Sequence, residues 1–420
     1  MSFAISCFAE RFAGASGTRL LMDDLGEALA SGQHWCNLGG GNPAAIPAVQ
    51  AAFHAALSEQ LADGRFDRLA ASYDGPQGHL PLRRAFAAML EARYGWPVGP
   101  EHVALTAGSQ HSFFMLFNAF SGRFPDGSER RLDLPLAPEY IGYGDIALTP
   151  EAVRSVRPAI EFLPGQQFKY RVDFARFRLA PDTGAVCLSR PTNPTGNVLS
   201  ADELTTLVEL TAAHGVPLII DNAYGPPFPD IVFGAAEPVF AAHVINCFSL
   251  SKLGLAGLRS GIVVAQPEVI DLLRSLNASM ILANNSLAAS LVTPLLESGV
   301  VASLTRDVIR PFYRARVEQA LAWCQREFAG LDYFIHKPEG AIFLWLWFRG
   351  LPIGSAELYG RLKARGVLVI PGHHFFPGLP PGWAHTSECL RISYAQAERE
   401  VEAGIRAIGE EVRAAFAGQP

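Results

Sequence analysis

Residues 244–261 read VINCFSLSKLGLAGLRSG, and a single lysine stands where an apolar run meets a glycine-rich bend. The run Val244 to Phe248 has the length and composition of a buried β-strand. A lysine so close to a buried strand is unfavourable unless its amine has a partner. Four uses of the Lys252 amine are open: a surface charge, an ion-pair partner, a phosphate ligand, or a nucleophile that condenses with a carbonyl group.

Other apolar runs in the middle of the chain also end at polar residues. They lie at 103–106, 185–188 and 216–220, and the segments 109–120 and 203–214 have helical patterns. Continuous apolar strands that alternate with helices predict an α/β fold, with a mostly parallel sheet between two layers of helices. In such sheets, ligands bind beyond the carboxyl ends of the strands. We therefore expect the functional site at that edge.

The sequence pattern changes after about residue 305, where a long helical pattern precedes two β-like runs, at 341–348 and 366–370, and a closing helix near 396–415. A chain of 420 residues is long enough for two domains. We predict a large domain of residues 46–305. We also predict a smaller α/β domain of residues 306–420, which includes the N-terminal segment 1–45.

Composition excludes several classes of partner. The net charge is -6 and the chain has no basic run, which argues against nucleic acid and anionic membranes. The longest apolar run, 341–348, is too short to span a membrane, and the N-terminus lacks the pattern of a secretory signal. Six scattered cysteines without a Cys-x-x-Cys pair are typical of a reducing compartment. We expect a cytoplasmic protein, and the 49% hydrophobic content favours an oligomer.

Polar side chains at other strand ends change the interpretation of Lys252. Asp221 directly follows the apolar residues 217–220, and a buried carboxylate there needs a cationic partner. Tyr224 adds a phenolic hydroxyl three residues later. Asn193 stands between two prolines and offers an amide on a rigid turn. Taken alone, Lys252 is explained by an ion pair and Asn193 by a structural turn.

Together, these side chains match the chemistry of pyridoxal phosphate. Lys252 would condense with the cofactor aldehyde, and Asp221 would pair with the ring nitrogen and keep it protonated. Tyr224 and Asn193 would bind the phenolic oxygen. Tyr140 offers a flat partner for the face of the ring.

The phosphate group of this cofactor needs a separate set of donors. Backbone N–H groups at a helix start are available at Gly108, Ser109 and Gln110. The hydroxyl of Ser249 and the guanidinium of Arg259 can complete the set.

Four short motifs, in this order, resemble the fold type I pyridoxal-phosphate aminotransferases of class I/II. They are NPTG (193–196), DNAYG (221–225), SLSK (249–252) and GLRSG (257–261). Each motif is weak by itself, and the ordered set carries the resemblance. The resemblance implies a large and a small domain, amino-acid and 2-oxo-acid substrates, and a homodimer.

The resemblance extends over nearly the whole chain and implies further site residues. Gly40 and Gly41, in LGGGNP, correspond to a segment that passes beside the substrate, where Asn193 also contributes. Arg391, in LRISY, corresponds to the arginine that clamps the substrate α-carboxylate through two bonds. Tyr73 corresponds to a tyrosine that reaches the phosphate of the neighbouring subunit, so each site would be built from two chains.

Longer segments are similar to a narrower group within this family. They are LLMDDL (20–25), PLAPEYIGY (135–143), FKYRVDF (168–174), RPTNPTGNV (190–198) and KPEGAIFLWLWF (337–348). This resemblance implies an exchange of the amino group between L-alanine/pyruvate and L-valine/2-oxoisovalerate. The exchange would occur in two half-reactions, as a ping-pong mechanism.

Other functions stay open on the sequence. An aminotransferase of aromatic or broad aliphatic specificity, or a pyridoxal-phosphate β-lyase, would share the cofactor residues, and product analysis separates these alternatives. A regulator with an aminotransferase-like sensor would need a preceding DNA-binding domain, whereas LGGGNP begins at residue 38. We expect no metal site, because His373 and His374 are adjacent and the histidines lack a His-x-x-x-His spacing.

Overall fold

The computed structural model describes residues 3–14, 16–30 and 35–418. Residues 1, 2, 15 and 31–34, which fall within the predicted N-terminal segment, lie outside the described residues. The described strands are β1 Cys36–Asn37, β2 Val103–Thr106, β3 Gly122–Arg123, β4 Glu129–Leu134, β5 Val153–Ser155, β6 Ala159–Leu163, β7 Gln167–Arg171, β8 Thr183–Ser189, β9 Leu218–Asp221, β10 Val244–Ser249, β11 Gly261–Val264, β12 Tyr333–His336, β13 Phe343–Phe348, β14 Val367–Leu368, β15 Ile370–Pro371 and β16 Cys389–Ser393.

The helices surround two larger sheets. They are α1 Cys7–Ala13, α2 Gly17–Ala30, α3 Pro47–Ala62, α4 Arg65–Ala71, α5 Leu80–Tyr94, α6 Ser109–Phe120, α7 Ala201–His214, α8 Pro267–Met280, α9 Ser286–Glu297, α10 Val300–Leu304, α11 Arg310–Glu327, α12 Gly354–Ala364 and α13 Glu398–Phe416. Within the described part of the chain, no single helix is long and apolar enough to cross a membrane. One bent helix pair, 286–297 with 300–327, is long and apolar enough only when its two helices are taken together.

The larger sheet has eight strands in the order β2-β11-β10-β9-β8-β4-β3, with β5 also paired to β4. The neighbours β10, β9, β8 and β4 run parallel, whereas β11 is antiparallel to both β10 and β2. Because β11 is reversed, its first residue Gly261 pairs with Ser249 at the end of β10 and with Thr106 at the end of β2. Arg259, just before β11, therefore reaches the edge where the parallel strands end.

Apolar side chains cover both faces of this sheet. Every residue of β8, β9, β10 and β11 is buried. Phe248 packs on Phe86 of α5, with 5.4 Å between ring centroids, whereas the preceding residue Cys247 joins the core that contains Phe113 of α6. Neighbouring residues of one strand thus point into two different cores, as expected for a sheet between helices. The α/β fold predicted from the sequence is confirmed.

A second sheet of six strands has the order β15-β16-β13-β12-β7-β6. Arg391 lies in the middle of β16, opposite Trp345 on β13 and Ile370 on β15. The hairpin of β6 and β7 joins this sheet from residues 159–171, far from the other strands in sequence. The division into domains 46–305 and 1–45 with 306–420 stays a prediction.

Gly184 in β8 lies so close to the end of α6 that no side chain fits. A Cβ atom there would stand 1.8 Å from the carbonyl oxygen of Phe120. We expect Gly184→Ala to lower the free energy of unfolding by roughly 1–3 kcal/mol or more, because β8 or α6 must shift. Urea denaturation measures this change.

A matched control is Gly360→Ala on the exposed side of α12, where an added Cβ meets no atom within 4 Å. This helical position should gain about 0.5–1 kcal/mol from the loss of glycine. Equal stability of the two variants would contradict the close approach of β8 and α6.

Candidate active site

A cavity of about 570 Å³ opens at the carboxyl edge of the larger sheet. It receives residues from the ends of β2, β4, β8, β9 and β10, because parallel strands end at a common edge. Most of the site residues predicted from the sequence line it. They are Gly40, Gly41, Ser109, Gln110, Tyr140, Asn193, Asp221, Tyr224, Ser249, Lys252, Arg259 and Arg391.

Lys252 lies on a short 3₁₀ turn after β10. Its Nζ donates a hydrogen bond to the carbonyl oxygen of Gly41 and lies 5.4 Å from the ring centroid of Tyr224. Burial lowers the pKa of Lys252 to about 8, and the positive charges of Arg391 and Arg259 act in the same direction. The amine is therefore much closer to neutrality at physiological pH than an ordinary lysine.

The other lysines of the chain differ from Lys252 in their partners. The sequence has three other lysines, and the amine of each lies within 4 Å of a carboxylate. Lys169 and Lys337 both pair with Glu339, and Lys363 pairs with Asp24. These contacts are ordinary ion pairs. Lys252 instead bonds to a carbonyl oxygen inside the cavity, which favours the interpretation of its amine as a nucleophile.

Asp221 ends β9 and is the buried acid of the cavity. Its Oδ1 accepts a hydrogen bond from the Ala223 N–H at 2.9 Å, and its Oδ2 accepts one from the Tyr143 hydroxyl at 3.0 Å. Burial raises the pKa of Asp221 to about 6, although both hydrogen bonds and the charge of Lys252 oppose the rise. The carboxyl group is thus held ready to bind a cationic partner and stays ionised above pH 6.

Tyr143 is a contact of Asp221 that the sequence analysis missed. It lies on the 3₁₀ turn 141–144 and is fully buried between Phe113 and Phe117, at centroid distances of 5.1 and 5.2 Å. Its spacing of three residues from Tyr140 was the available signal. The spacing of about one helical turn places both tyrosines at the 3₁₀ turn 141–144. Tyr140 lines the cavity, whereas Tyr143 lies beneath it and donates a hydrogen bond to Asp221.

Arg391 is a buried guanidinium whose direct partners are neutral. Its Nη1 donates to Asn193 Oδ1 at 3.0 Å, and its Nη2 donates to the carbonyl oxygen of Gly39. Its Nε is buried without a hydrogen-bond partner, and its Cζ lies 4.2 Å from the ring centroid of Phe343. Burial lowers the pKa of Arg391 to about 10. A buried cation with an unpaired donor fits an incoming carboxylate.

An anion site lies at the start of α6. Gly108 is the N-cap with a φ of 95°, and a Cβ there would stand 2.3 Å from Nη2 of Arg259. Only glycine lets the helix start approach this guanidinium. The first N–H groups of the 12-residue helix have no intrahelical acceptor, and the adjacent positive charge favours an anion.

Two serines complete this anion site, one of which the sequence analysis did not assign. Ser251 Oγ accepts a hydrogen bond from Arg259 Nη1 at 3.3 Å, and the Ser251 N–H donates to Ser249 Oγ at 3.2 Å. Both serines line the cavity. Their positions at the end of β10, next to the lysine, are the signal that could have identified Ser251.

Tyr73 is not brought to this cavity within the single chain. Its side chain is 84% exposed, and it borders a second cavity with residues 66–72 and 283–287. Gly108, in contrast, directly adjoins the site through the start of α6 and Arg259.

The N-terminal helix α2 forms part of the wall of the cavity. Thr18, Leu21 and Met22 belong to the lining, and Gly17 packs against Ile141. Asp24 fixes the other side of the helix by accepting hydrogen bonds from α12. From the sequence, LLMDDL (20–25) was identified only through its similarity to relatives.

The chain belongs to the aminotransferases of class I and II, because the model of the family "Aminotransferase class I and II" matches residues 34–408. The family predicted from the sequence is confirmed. This family depends on pyridoxal phosphate, and its substrates are amino acids and 2-oxo acids.

Particular relatives match over nearly the full length. The chain is 46% identical to the valine–pyruvate aminotransferase of Escherichia coli K12, over 98% of this chain and 99% of the relative. The structure of a putative amino-acid aminotransferase from Psychrobacter arcticum 273-4 is similar with a TM-score of 0.97 and 40% identity, covering 100% of both chains. That of the valine–pyruvate aminotransferase from Salmonella typhimurium LT2 has a TM-score of 0.88 and 45% identity, covering 95% of this chain and 99% of that chain.

The residues around the cavity fit pyridoxal phosphate. The start of α6 and Arg259 form a cradle for an anion, and a Cβ at Gly108 would fill it. A reactive amine and a buried acid lie in the same cavity, as the aldehyde and the ring nitrogen of this cofactor require.

The lowered pKa of Lys252 makes a testable prediction for the cofactor-free protein. Only a neutral amine reacts with acetic anhydride, so acetylation of Lys252 should rise with pH and level off above a midpoint of about 8. Arg391→Gln should move the midpoint to higher pH, because it removes one positive charge that lowers the pKa. Peptide mass spectrometry measures both rates. A Lys252 profile parallel to that of the half-exposed Lys337 would contradict the prediction.

Proposed function

We propose that this protein transfers an amino group between L-alanine/pyruvate and L-valine/2-oxoisovalerate. The observation that carries this proposal is the full-length identity of 46% to a valine–pyruvate aminotransferase. The cavity supports it, because Lys252, Arg259 and Arg391 are the cations among its described lining residues. Arg259 belongs to the anion cradle and Arg391 suits the α-carboxylate. No further described lining cation is left for a side-chain carboxylate, so an uncharged side chain fits best.

We infer one role for each group around the cofactor. When bound, pyridoxal phosphate supplies an aldehyde carbon and a ring that accepts an electron pair. Lys252 holds the aldehyde carbon, Asp221 holds the ring nitrogen in its protonated form, and Tyr140 packs on the ring face. Tyr224 and Asn193 donate to the phenolic oxygen; Asn193 has its Nδ2 for this purpose, since its Oδ1 accepts from Arg391.

The phosphate is bound in this proposal by the start of α6 and the end of β10. The residues are Gly108, Ser109, Gln110, Ser249, Ser251 and Arg259. Their donors are backbone N–H groups, hydroxyls and a guanidinium, which together match the acceptor oxygens of a phosphate.

Proton transfer during each half-reaction falls to Lys252. Arg391 and Asn193 bind the substrate α-carboxylate and so orient its Cα beside the lysine, with Gly40 and Gly41 lining the other side. With a pKa near 8, Nζ of Lys252 takes the Cα proton in its neutral form and, in its cationic form, delivers it to the cofactor carbon that carried the aldehyde.

Apolar residues define the region for the substrate side chain. Leu21 and Met22 of α2 and Ile141 line the cavity near its mouth. An apolar pocket gains only about 1–3 kcal/mol for each methylene, so neighbouring aliphatic amino acids are poorly separated. Alanine and valine therefore suit the same site.

A single-turnover screen of amino acids tests the substrate assignment. The visible absorbance of the cofactor in the holoenzyme reports each half-reaction. We expect alanine and valine to react fastest, 2-aminobutyrate to be accepted and aspartate to react poorly. Product analysis serves as the control, because a β-lyase would release ammonia and pyruvate. A preference for aspartate, or for an aromatic amino acid over valine, would overturn the proposed specificity.

We propose further that the functional unit is a homodimer in which Tyr73 binds the phosphate of the partner's cofactor. The 84% exposure of Tyr73 in the single chain supports this proposal, since a side chain that serves another subunit must project outward. Other exposed apolar side chains, such as Leu61 at 57% and Leu282 at 59%, also favour burial by a second chain.

Hybrid dimers test this arrangement. Mixing Lys252→Ala chains with Tyr73→Phe chains places both lesions in one site of the hybrid and none in the other. Random pairing should restore about a quarter of the wild-type sites, so activity should exceed that of either parent. Mixing Lys252→Ala with Asp221→Asn is the control, because every hybrid site then keeps one lesion. Equal activities of the two mixtures would contradict a shared site.

We propose a cytoplasmic location. The six cysteines are free thiols in the structure, and Cys187, Cys247, Cys324 and Cys389 are buried. Buried free thiols are typical of proteins from reducing compartments.

A further inference from the structure

Glu139, directly before Tyr140, is a fully buried carboxyl group without an assigned role. Its side chain is 0% exposed. Its Oε1 accepts a hydrogen bond from the Ser189 N–H at 2.9 Å. Its Oε2 accepts one from the Ser189 hydroxyl and one from the Tyr140 N–H at 3.3 Å. All of these donors are neutral, so the group is satisfied by hydrogen bonds and not by a cation.

The surroundings of Glu139 favour its uncharged form. Burial raises the pKa of Glu139 to about 8, although the hydrogen bonds from Ser189 and Tyr140 oppose the rise, and the negative charge of Asp221 adds to it. The other titratable groups that interact with it are Tyr143 and Cys187, which are also buried. At neutral pH the carboxyl group is mostly protonated, and Asp221 remains the charged acid of the site.

Glu139 contacts the supports of several functional groups at once. Ser189 ends β8 and pairs in register with Asp221 at the end of β9. The backbone N–H of Glu139 donates to the carbonyl oxygen of Phe375 at 2.8 Å, and the Phe375 ring lies 5.1 Å from Cζ of Arg391. Glu139 thus connects β8, which ends beside Asp221, with the loop that carries Tyr140. It also connects both to Phe375, whose ring packs near Arg391.

We propose that Glu139 is a positioning residue that acts as an uncharged hydrogen-bonding group. It fixes Tyr140 at the cofactor ring and holds the end of β8 beside Asp221. The inference rests on the proposed binding of pyridoxal phosphate in this cavity, and it adds a residue that does not itself line the cavity.

Glu203 provides a matched control outside the site. It is 9% exposed and accepts hydrogen bonds from the N–H and hydroxyl of Ser200 and the N–H of Val172, and it differs from Glu139 in also accepting one from Arg171 at 3.4 Å. It caps α7 and does not line the cavity. Removing either carboxyl group should destabilise the fold, whereas only Glu139 should affect the cofactor.

The experiment compares Glu139→Ala, Glu139→Gln, Glu203→Ala and the wild type. The affinity of the cofactor-free protein for pyridoxal phosphate is measured by fluorescence quenching, and its Tm is measured by calorimetry. In the holoenzyme, the absorbance of the cofactor is recorded as a function of pH. Glu139→Ala should weaken binding about tenfold, as the loss of buried hydrogen bonds implies. Glu139→Gln keeps an acceptor for the Ser189 N–H, and the Ser189 hydroxyl, which donates to Oε2 of Glu139, can rotate to accept from the new amide nitrogen, so the affinity should stay within about threefold. The absorbance of this variant should titrate at the wild-type pH.

Three results would overturn the inference. Glu139→Ala could bind the cofactor as tightly as the wild type. Glu139→Gln could be as impaired as Glu139→Ala, or titrate at a different pH, which would assign the effect to a negative charge. Glu203→Ala could weaken binding as much as Glu139→Ala, which would assign it to general destabilisation.

Two further measurements keep the test decisive. If Glu139→Ala does not fold, Ser189→Ala replaces it, because it removes the hydroxyl bond and should weaken binding in the same direction. Wild-type affinity of Ser189→Ala would then overturn the inference. Failure of the wild-type protein to bind pyridoxal phosphate would instead overturn the proposed function of the cavity.

Discussion

Burial of three charges in one cavity is the constraint on which the site depends. Low solvation raises the pKa of Asp221 to about 6 and lowers those of Lys252 and Arg391 to about 8 and 10. The pKa of each group therefore lies closer to neutral pH than it would in water. Asp221 stays ionised near neutral pH, while Lys252 lies close to the point where its amine is half neutral. A surface site with the same residues would not have this property.

The strand arrangement brings these charges together. Parallel β8, β9 and β10 end side by side, so the residues after them meet at one edge of the sheet. The reversed strand β11 then adds Arg259 from its starting end, and the glycine at the start of α6 makes room for the guanidinium. Arg391 comes from the second sheet. The cavity is thus lined by elements that are far apart in sequence.

Much of this could be predicted from the sequence. The apolar runs that end in Asp221 and Lys252 identified both the sheet and its functional edge, because strand burial and a polar end are local features. The helix over 109–120 coincides with α6. The β-like run 366–370, in contrast, is divided between two strands, β14 and β15, which belong to different sheets.

The residues that were missed act through contacts between distant segments. Tyr143 becomes a partner of Asp221 only when the 3₁₀ turn 141–144 packs beneath the sheet edge, 78 residues away in sequence. Glu139 and Ser189 are 50 residues apart. The hairpin of β6 and β7 has no local signal for its membership in the second sheet. Side-chain type and spacing along the chain do not encode such pairings, whereas the folded structure does.

Reductive trapping tests the central claim most directly, namely that the Lys252 amine is the attachment point for pyridoxal phosphate. The holoenzyme is treated with borohydride, digested, and searched by mass spectrometry for the modified lysine. With only four lysines in the chain, the result is unambiguous. The partly buried, weakly basic Lys252 should carry the label, and Lys252→Ala should carry none. Label on Lys169, Lys337 or Lys363 in place of Lys252 would contradict the account.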